Sequence, residues 1–221
     1  MRFALDDGNL LCYGRRAKRK TGCLPRPCDD AEQTANALSA RSIMSCRLFR
    51  VFSMSLHDLV FLTEDASHDA AINLINAEAF GPGRFVRAAE RVREQGPHDR
   101  SLSFVGSDGG EIIASVRMTP VFAGPTEAYL LGPLAVRPSH KNLGIGKELV
   151  RIALAAAQKT SSKAVLLIGD APYYMPLSFA RTRPGALGMP GPFDPNRMLA
   201  ACRGDVDPMQ WEGMIRHRNC G

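Results

Sequence analysis

A mixed α/β fold, with a mostly antiparallel sheet and helices on both faces, is what the sequence predicts for residues 54–221. Three observations carry that expectation. Short apolar runs alternate with helical periodicity throughout this part of the chain, the pattern of a layered α/β domain. Ala164–Ile168 (AVLLI) is apolar without interruption, which suits a buried strand beside a parallel neighbour. Ile145, Leu149, Ile152, Ala153 and Ala156 recur at helical spacing and predict a strong amphipathic helix over Ile145–Thr160.

The elements follow in order. Leu59–Thr63 (LVFLT) reads as a short strand. Ser67 is the expected cap of a helix over Asp69–Phe80, with Ala71, Leu74, Ile75 and Phe80 on its buried face. Gly81-Pro82-Gly83 ends it, and Phe85–Gln95 is expected to form a second helix. Leu102–Val105 and Glu111–Pro120 read as antiparallel strands joined by the turn Ser107-Asp108-Gly109-Gly110. Ala128–Val136 (AYLLGPLAV) is a strand with Gly132-Pro133 in its middle. Proline cannot donate to a sheet ladder, so this strand should bulge or part from a neighbour there. Tyr173–Arg181 is read as a short helix, and Arg197–Cys202 and Gly213–Arg216 as the last strands.

Residues 1–53 behave differently. They carry ten Lys and Arg against five Asp and Glu, whereas residues 54–221 carry eighteen against seventeen. The basic excess therefore belongs to this leader, and the nearly neutral domain is a poor phosphate-backbone binder. Cys12, Cys23, Cys28 and Cys46 crowd into the leader, with no Cys-x-x-Cys pair and no histidine beside them, so no zinc site is expected. Apart from a weak helix over Ala31–Ser45, the leader reads as loop or disorder. One reading is that it is a non-native extension and that translation begins at Met54; the other is a genuine flexible tail. Nothing resembles a secretory signal or a membrane span, and a cytoplasmic location is expected. His57, His68, His98, His140 and His217 are scattered without metal-ligand spacing.

The informative stretch is LGPLAVRPSHKNLGIGKELV, residues 131–150. A strand ends at Val136, a polar turn follows, and glycines open a helix. The N–H groups from Asn142 through Leu143, Gly144 and Ile145 to Gly146 lack partners inside that helix and point outward with its positive dipole end, an anion site. Gly144 and Gly146 have no side chains to keep a diphosphate from the backbone. Lys141 and Lys147 add charge. The Walker pattern fails because Glu148 follows Gly146-Lys147 and Lys141 stands where its first glycine belongs. The dinucleotide fingerprint fails because Leu149 occupies its third glycine. The remaining alternative is a glycine-bearing helix start that binds nothing.

Lys141-x-x-Gly144-x-Gly146, set between Val136 and the helix, resembles the Gln/Arg-x-x-Gly-x-Gly/Ala signature of the GNAT superfamily of N-acetyltransferases, with Lys141 a departure at its first place. AFGPGRFVRAAERVRE (79–94), LSFVG (102–106), LLGPLAVRPSHKNLGIGKELV (130–150) and VLLIGDAPYY (165–174) look like a bacterial branch of predicted N-acetyltransferases. The resemblance covers roughly Leu59 to Arg203.

It implies splayed central strands that admit the pantetheine arm of acetyl-CoA as co-substrate. Leu134 and Val136 would offer main-chain groups to that arm, and the Asn142–Gly146 amides would hold the pyrophosphate. An N–H near Leu134 would serve the oxyanion. Tyr174, five residues before Phe179, would be the general acid, with Tyr173 the alternative hydroxyl. The family's Gly-Phe reads Ser178-Phe179 here, and Pro176 stands where a helix former is usual. No base is assigned; Glu127 and Glu78 are more naturally surface carboxylates. The expected reaction is direct acetyl transfer to a primary amine of unknown type. A CoA-binding sensor or scaffold that has lost catalysis is the alternative, and nucleic-acid binding through the leader a third. No metal and no membrane partner are expected, and a homodimer is left open.

Overall fold

The computed structural model describes residues 11–12, 59–204 and 206–220. The readings made for the leader (its disorder, a start at Met54, the helix over Ala31–Ser45, nucleic-acid binding) lie outside the described residues, with one exception. Leu11–Cys12 forms a two-residue strand, β1, antiparallel to β2 (Leu59–Thr63). Sheet order continues through β3 (Phe104–Asp108), β4 (Glu111–Ala123), β5 (Thr126–Val136), β6 (Ala164–Ile168), β9 (Met198–Cys202) and β7 (Ala180–Arg181). β10 (Gly213–His217) pairs with the end of β4 and with β8 (Leu187–Gly188). Pairings along this sheet are antiparallel except β5 with β6 and β8 with β10. The expected mixed, mostly antiparallel sheet is present.

Period-two alternation along β4 sends Val116 and Met118 into a core shared with α3 (Ile145–Ala157). Ile145, Leu149, Val150 and Ala153 are buried there, and each large member contributes roughly 1.5–3 kcal/mol. A second core on the other side joins Val121 and Ala123 of β4 to Ala88 and Val92 of α2 (Ala88–Arg93). No helix among the described residues is long and apolar enough to cross a membrane.

Several local readings need correction. Ser67 is not the cap of α1 (Asp69–Phe80): His68 stands at its N-cap without a side-chain bond, and Asp65 caps the preceding 3-10 turn, Ala66–His68, its carboxylate accepting from the Ser67 N–H at 2.9 Å. The buried stripe of α1 is Ile72, Ile75 and Asn76, while Leu74 is 52% exposed. The second helix is shorter than expected, because Pro82–Val86 forms a 3-10 turn and Arg87 is extended at φ −73°, ψ 140°. Leu102 ends a separate 3-10 turn, Arg100–Leu102, so β3 starts later, at Phe104. Tyr173–Arg181 is not one helix. Ala171–Tyr174 (α4) passes into a 3-10 turn, Met175–Leu177, and Ser178 then leaves in the left-handed region at φ 69°.

A charge cluster ties α1 to the sheet. Glu64, at the end of β2, has a fully buried side chain and accepts from Arg117 (2.8 Å), Arg100 (2.9 Å) and His98 (2.8 Å). Asp69, in the first turn of α1, accepts from the same Arg117 at 2.7 Å and Arg100 at 2.7 Å. Burial pushes the Glu64 carboxyl up, but hydrogen bonds from His98 and Arg117, and Arg117's charge, outweigh it and hold the group below its ordinary 4.5. A depressed folded value means that this stabilisation is whole above pH 4.5 and is lost as pH falls below it. Glu64→Ala leaves arginines without their buried partner and should cost about 3–5 kcal/mol in urea denaturation. Glu64→Gln should flatten the acid limb of the stability–pH curve.

Candidate active site

The Gly132-Pro133 step behaves as proline chemistry requires. Val116 of β4 faces Leu134 and Met118 faces Leu131, so Arg117 stands opposite two residues, Gly132 and Pro133. This is a β-bulge, and it bends the bulged strand. On its other edge β5 pairs with β6 only from Ala128 to Leu130, against Ala164 to Leu166. Beyond that point the two strands separate. The Arg137 N–H bonds back to Ile113 O at 2.9 Å. Alternation along the strand therefore turns the N–H and C=O of Leu134 and Val136 to the opposite edge, into the gap.

The turn at the end of β5 leads to α3. Gly144 is its N-cap at φ 83° and offers no side-chain cap, and Asn142 is also left-handed at φ 65°. The first N–H groups of α3 have no intrahelical acceptor and form the positive end of its dipole. Gly146 approaches the open strand closely: a Cβ there would lie 3.5 Å from Val136 Cγ2, 3.8 Å from Leu134 Cδ2 and 2.8 Å from the Tyr173 hydroxyl. Lys141, Leu143 and Lys147 are exposed around the turn, and the Lys147 Nζ lies 5.6 Å from the Tyr173 ring centroid. His140 faces the other way. It is buried, shares a 2.8 Å hydrogen bond with Ser139, and stands 3.4 Å from Asp108 of β3, so it anchors the turn.

A cavity of about 1060 Å³ opens where β5 and β6 part. Leu134 and the bulge form part of one wall, and Tyr174 lines the same space; Val136 and the Asn142–Gly146 turn lie outside its lining. Tyr174 is held by edge contacts to Tyr173 (4.8 Å between centroids) and Phe179 (5.7 Å). Burial, with smaller effects from Tyr173 and Asp170, pushes its phenol up to about 12. The hydroxyl is therefore protonated throughout the neutral range. Tyr173 packs instead against the α3 N-terminus. Pro176 occupies the first turn of its short 3-10 helix, where it removes no needed N–H.

Neither Glu78 nor Glu127 lines the cavity. Glu78 lies 3.9 Å from Arg137, and Glu127 lies 3.8 Å from Arg218. Carboxylates that do line it are already engaged: Glu90 with Arg93 at 3.0 Å, Asp170 with Arg197 at 3.0 Å, and Asp194 with the Asn196 N–H at 2.9 Å. Cys202 and Cys220 also lie outside the lining, and burial pushes the Cys202 thiol up to about 11.

The Acetyltransferase (GNAT) family model matches residues 57–172, more than half of the chain. The chain belongs to this family. An acyl-CoA-dependent acetyltransferase, the enzyme class that the motif implies, is what such membership means. The uncharacterized N-acetyltransferase YjhQ of Escherichia coli K12 is 25% identical over 171 residues, which are 74% of this chain and 94% of that protein. Two GNAT structures share the fold. One is YhbS from E. coli in complex with CoA (TM-score 0.59, 20% identity, 73% of this chain and 90% of that one). The other is a GNAT acetyltransferase from Brucella melitensis in complex with acetyl-CoA (TM-score 0.55, 22% identity, 75% and 99%).

Sequence reasoning missed the residues that shape the cavity from outside the motif: Asn76, Arg93, Arg117, Thr119 and Gly169. Only Gly169 had a local signal, a glycine directly after an apolar strand. A methyl group there would collide with the Tyr174 ring and stand 2.9 Å from Leu167 Cδ1. Gly169→Ala should therefore destabilise the fold by about 1–3 kcal/mol, measured as a lower denaturation midpoint at unchanged m-value.

Proposed function

We propose that this protein transfers the acetyl group of acetyl-CoA to a primary amine by direct attack. The observation that carries the reading is the parted strand pair. The main chain of Leu134 and Val136 faces a gap whose far end meets the glycine turn, and Tyr174 lines the cavity on the same gap. The pantetheine arm would extend along the open edge of β5 and bond Leu134 and Val136. The amides of Asn142, Leu143, Gly144, Ile145 and Gly146 would hold the pyrophosphate, with Lys141 adding positive charge.

In this scheme the neutral amine attacks the thioester carbonyl carbon. The Leu134 N–H stabilises the negative oxygen of the tetrahedral state. The C–S bond breaks, and the sulfur leaves as a thiolate that takes the Tyr174 proton. The nitrogen sheds a proton to solvent and the phenolate regains one, so an amide and the CoA thiol are the net products. A phenol raised to about 12 meets the first requirement of such an acid, which is to be protonated before the step. Direct attack is supported because neither Cys202 nor Cys220 lines the cavity.

The alternative of a CoA-binding domain without catalysis drew on Ser178 and Pro176. Both are accommodated: Ser178 adopts the left-handed conformation that glycine would supply, and Pro176 sits in a first turn. That leaves the enzyme reading the better supported of the two. Calorimetry of the full chain should show acetyl-CoA binding that ATP does not reproduce. Tyr174→Phe should lower kcat about tenfold or more while leaving acetyl-CoA affinity unchanged. Unaltered kcat in that variant would remove Tyr174 from the mechanism.

A further inference from the structure

Transfer of an acetyl group to an amine leaves a proton on the attacking nitrogen, and a base in the cavity has to receive it. Most of the charged lining is unsuited to that task. The five arginines of the lining stay protonated, and Tyr174 holds its own proton. Glu90 and Asp170 are ion-paired with Arg93 and Arg197, and Asp194 caps a turn at the Asn196 N–H, so taking a proton would break those contacts. His98 is the titratable side chain of the lining that is left.

One ring nitrogen of His98 is committed and the other is not. Nε2 lies 2.8 Å from Glu64 Oε1. Burial raises the Glu64 carboxyl, but bonds from His98 and Arg117 outweigh it, so the group is ionised at neutral pH. An ionised carboxylate only accepts, which assigns the hydrogen to Nε2 and leaves a lone pair on Nδ1. Nδ1 bonds nothing among the described residues, yet it is not one of the buried polar atoms without a partner, so it is open to water. The charges around the ring come from Glu64 of β2, Asp69 of α1, Arg100 of the turn before β3, and Arg117 of β4. Two negative groups against two positive ones let the ring join as a neutral donor. Glu64 then stabilises the imidazolium once a proton arrives.

Position favours the same residue. The Asp99 N–H bonds Met118 O at 2.8 Å, which fastens His98 alongside β4 and next to Arg117. Arg117 faces the bulge and shares Glu64 Oε1 with His98. Tyr174 follows β6, which lies on the other side of β5 in the sheet. The two groups thus flank the strand that carries Leu134.

We infer that His98 is the general base of the transfer, with Glu64 as the group that orients it. As the amine nitrogen bonds to the thioester carbon, Nδ1 takes the proton that the nitrogen loses, and the imidazolium passes it to water. Tyr174 protonates the departing sulfur. This inference rests on the acetyltransferase reading and supplies that reaction with its base.

Two measurements test it. Long-range proton–nitrogen NMR of the full chain, labelled at histidine, should show His98 at pH 8 as the Nε2–H tautomer. An Nδ1–H tautomer, or a ring still doubly protonated at that pH, overturns the inference, and neither result depends on an acceptor. The second measurement follows CoA release from acetyl-CoA with benzylamine, spermidine and glycinamide, using whichever reacts fastest. His98→Gln keeps a donor for Glu64 and loses the basic lone pair. Its kcat should fall about 100-fold or more, with calorimetric affinity for acetyl-CoA and the urea midpoint unchanged. Below the imidazole range, log kcat/KM of the parent protein should rise with pH at a slope of two, one ionisation from the amine and one from His98. In the variant the slope should be one, a change that a merely structural role would not produce. Unchanged kcat or an unchanged slope in His98→Gln overturns the inference. Failure of the parent protein to bind acetyl-CoA is a different result, because it removes the acetyltransferase reading itself.

Discussion

One mismatch in register governs the rest of this molecule: a single residue of β4, Arg117, faces two of β5, Gly132 and Pro133. The extra residue bends β5 at the bulge, and the proline brings no N–H to the ladder there. Pairing ends at Leu130 opposite Leu166. A parallel strand pair that separates inside a sheet exposes main-chain donors and acceptors that would normally be satisfied. That exposure costs stability unless something else binds the edge.

The gap also needs a stiff surround. Arg117 supplies part of it, because the residue left over at the bulge is the one that Glu64 and Asp69 grip. The same cluster links the end of β2 to the first turn of α1. Bonding satisfies these charges almost completely, whereas the neighbouring Asn76, Arg93 and Thr119 are left with unbonded atoms. Paired charge holds the frame, and the unpaired polar atoms add nothing to it.

Much of this was legible in advance, for identifiable reasons. β2, β5, β6 and α3 came out near their expected bounds because their periodicity is strong and their neighbours do not override it. The glycine turn and the Gly-Pro bulge were readable because each acts through backbone chemistry local to a few residues. Errors arose where several residue types could satisfy one local rule. Asp65 and Ser67 both cap helices, and only the turn before α1 selects between them. Leu74 and Ile72 fit competing helical faces, and packing against the sheet chose Ile72. The chain after Tyr174 carries helix-compatible residues, yet Ser178 turns it into β7, because Ala180 and Arg181 find a partner in β9.

By itself the sequence determined the layered fold, the parting of β5 from its parallel neighbour and the glycine-capped helix start, all consequences of short-range patterns. It also placed Tyr174 after the parallel strand, by resemblance. Tertiary structure alone decided that Tyr174 lines the cavity while Tyr173 packs on α3, which glycine backs Tyr174, and which other polar groups line the cavity. Asn76, Arg93, Thr119 and Gly169 come from α1, α2, β4 and the end of β6. No spacing along the chain relates them, because their proximity is created only when two helices pack across a bent sheet.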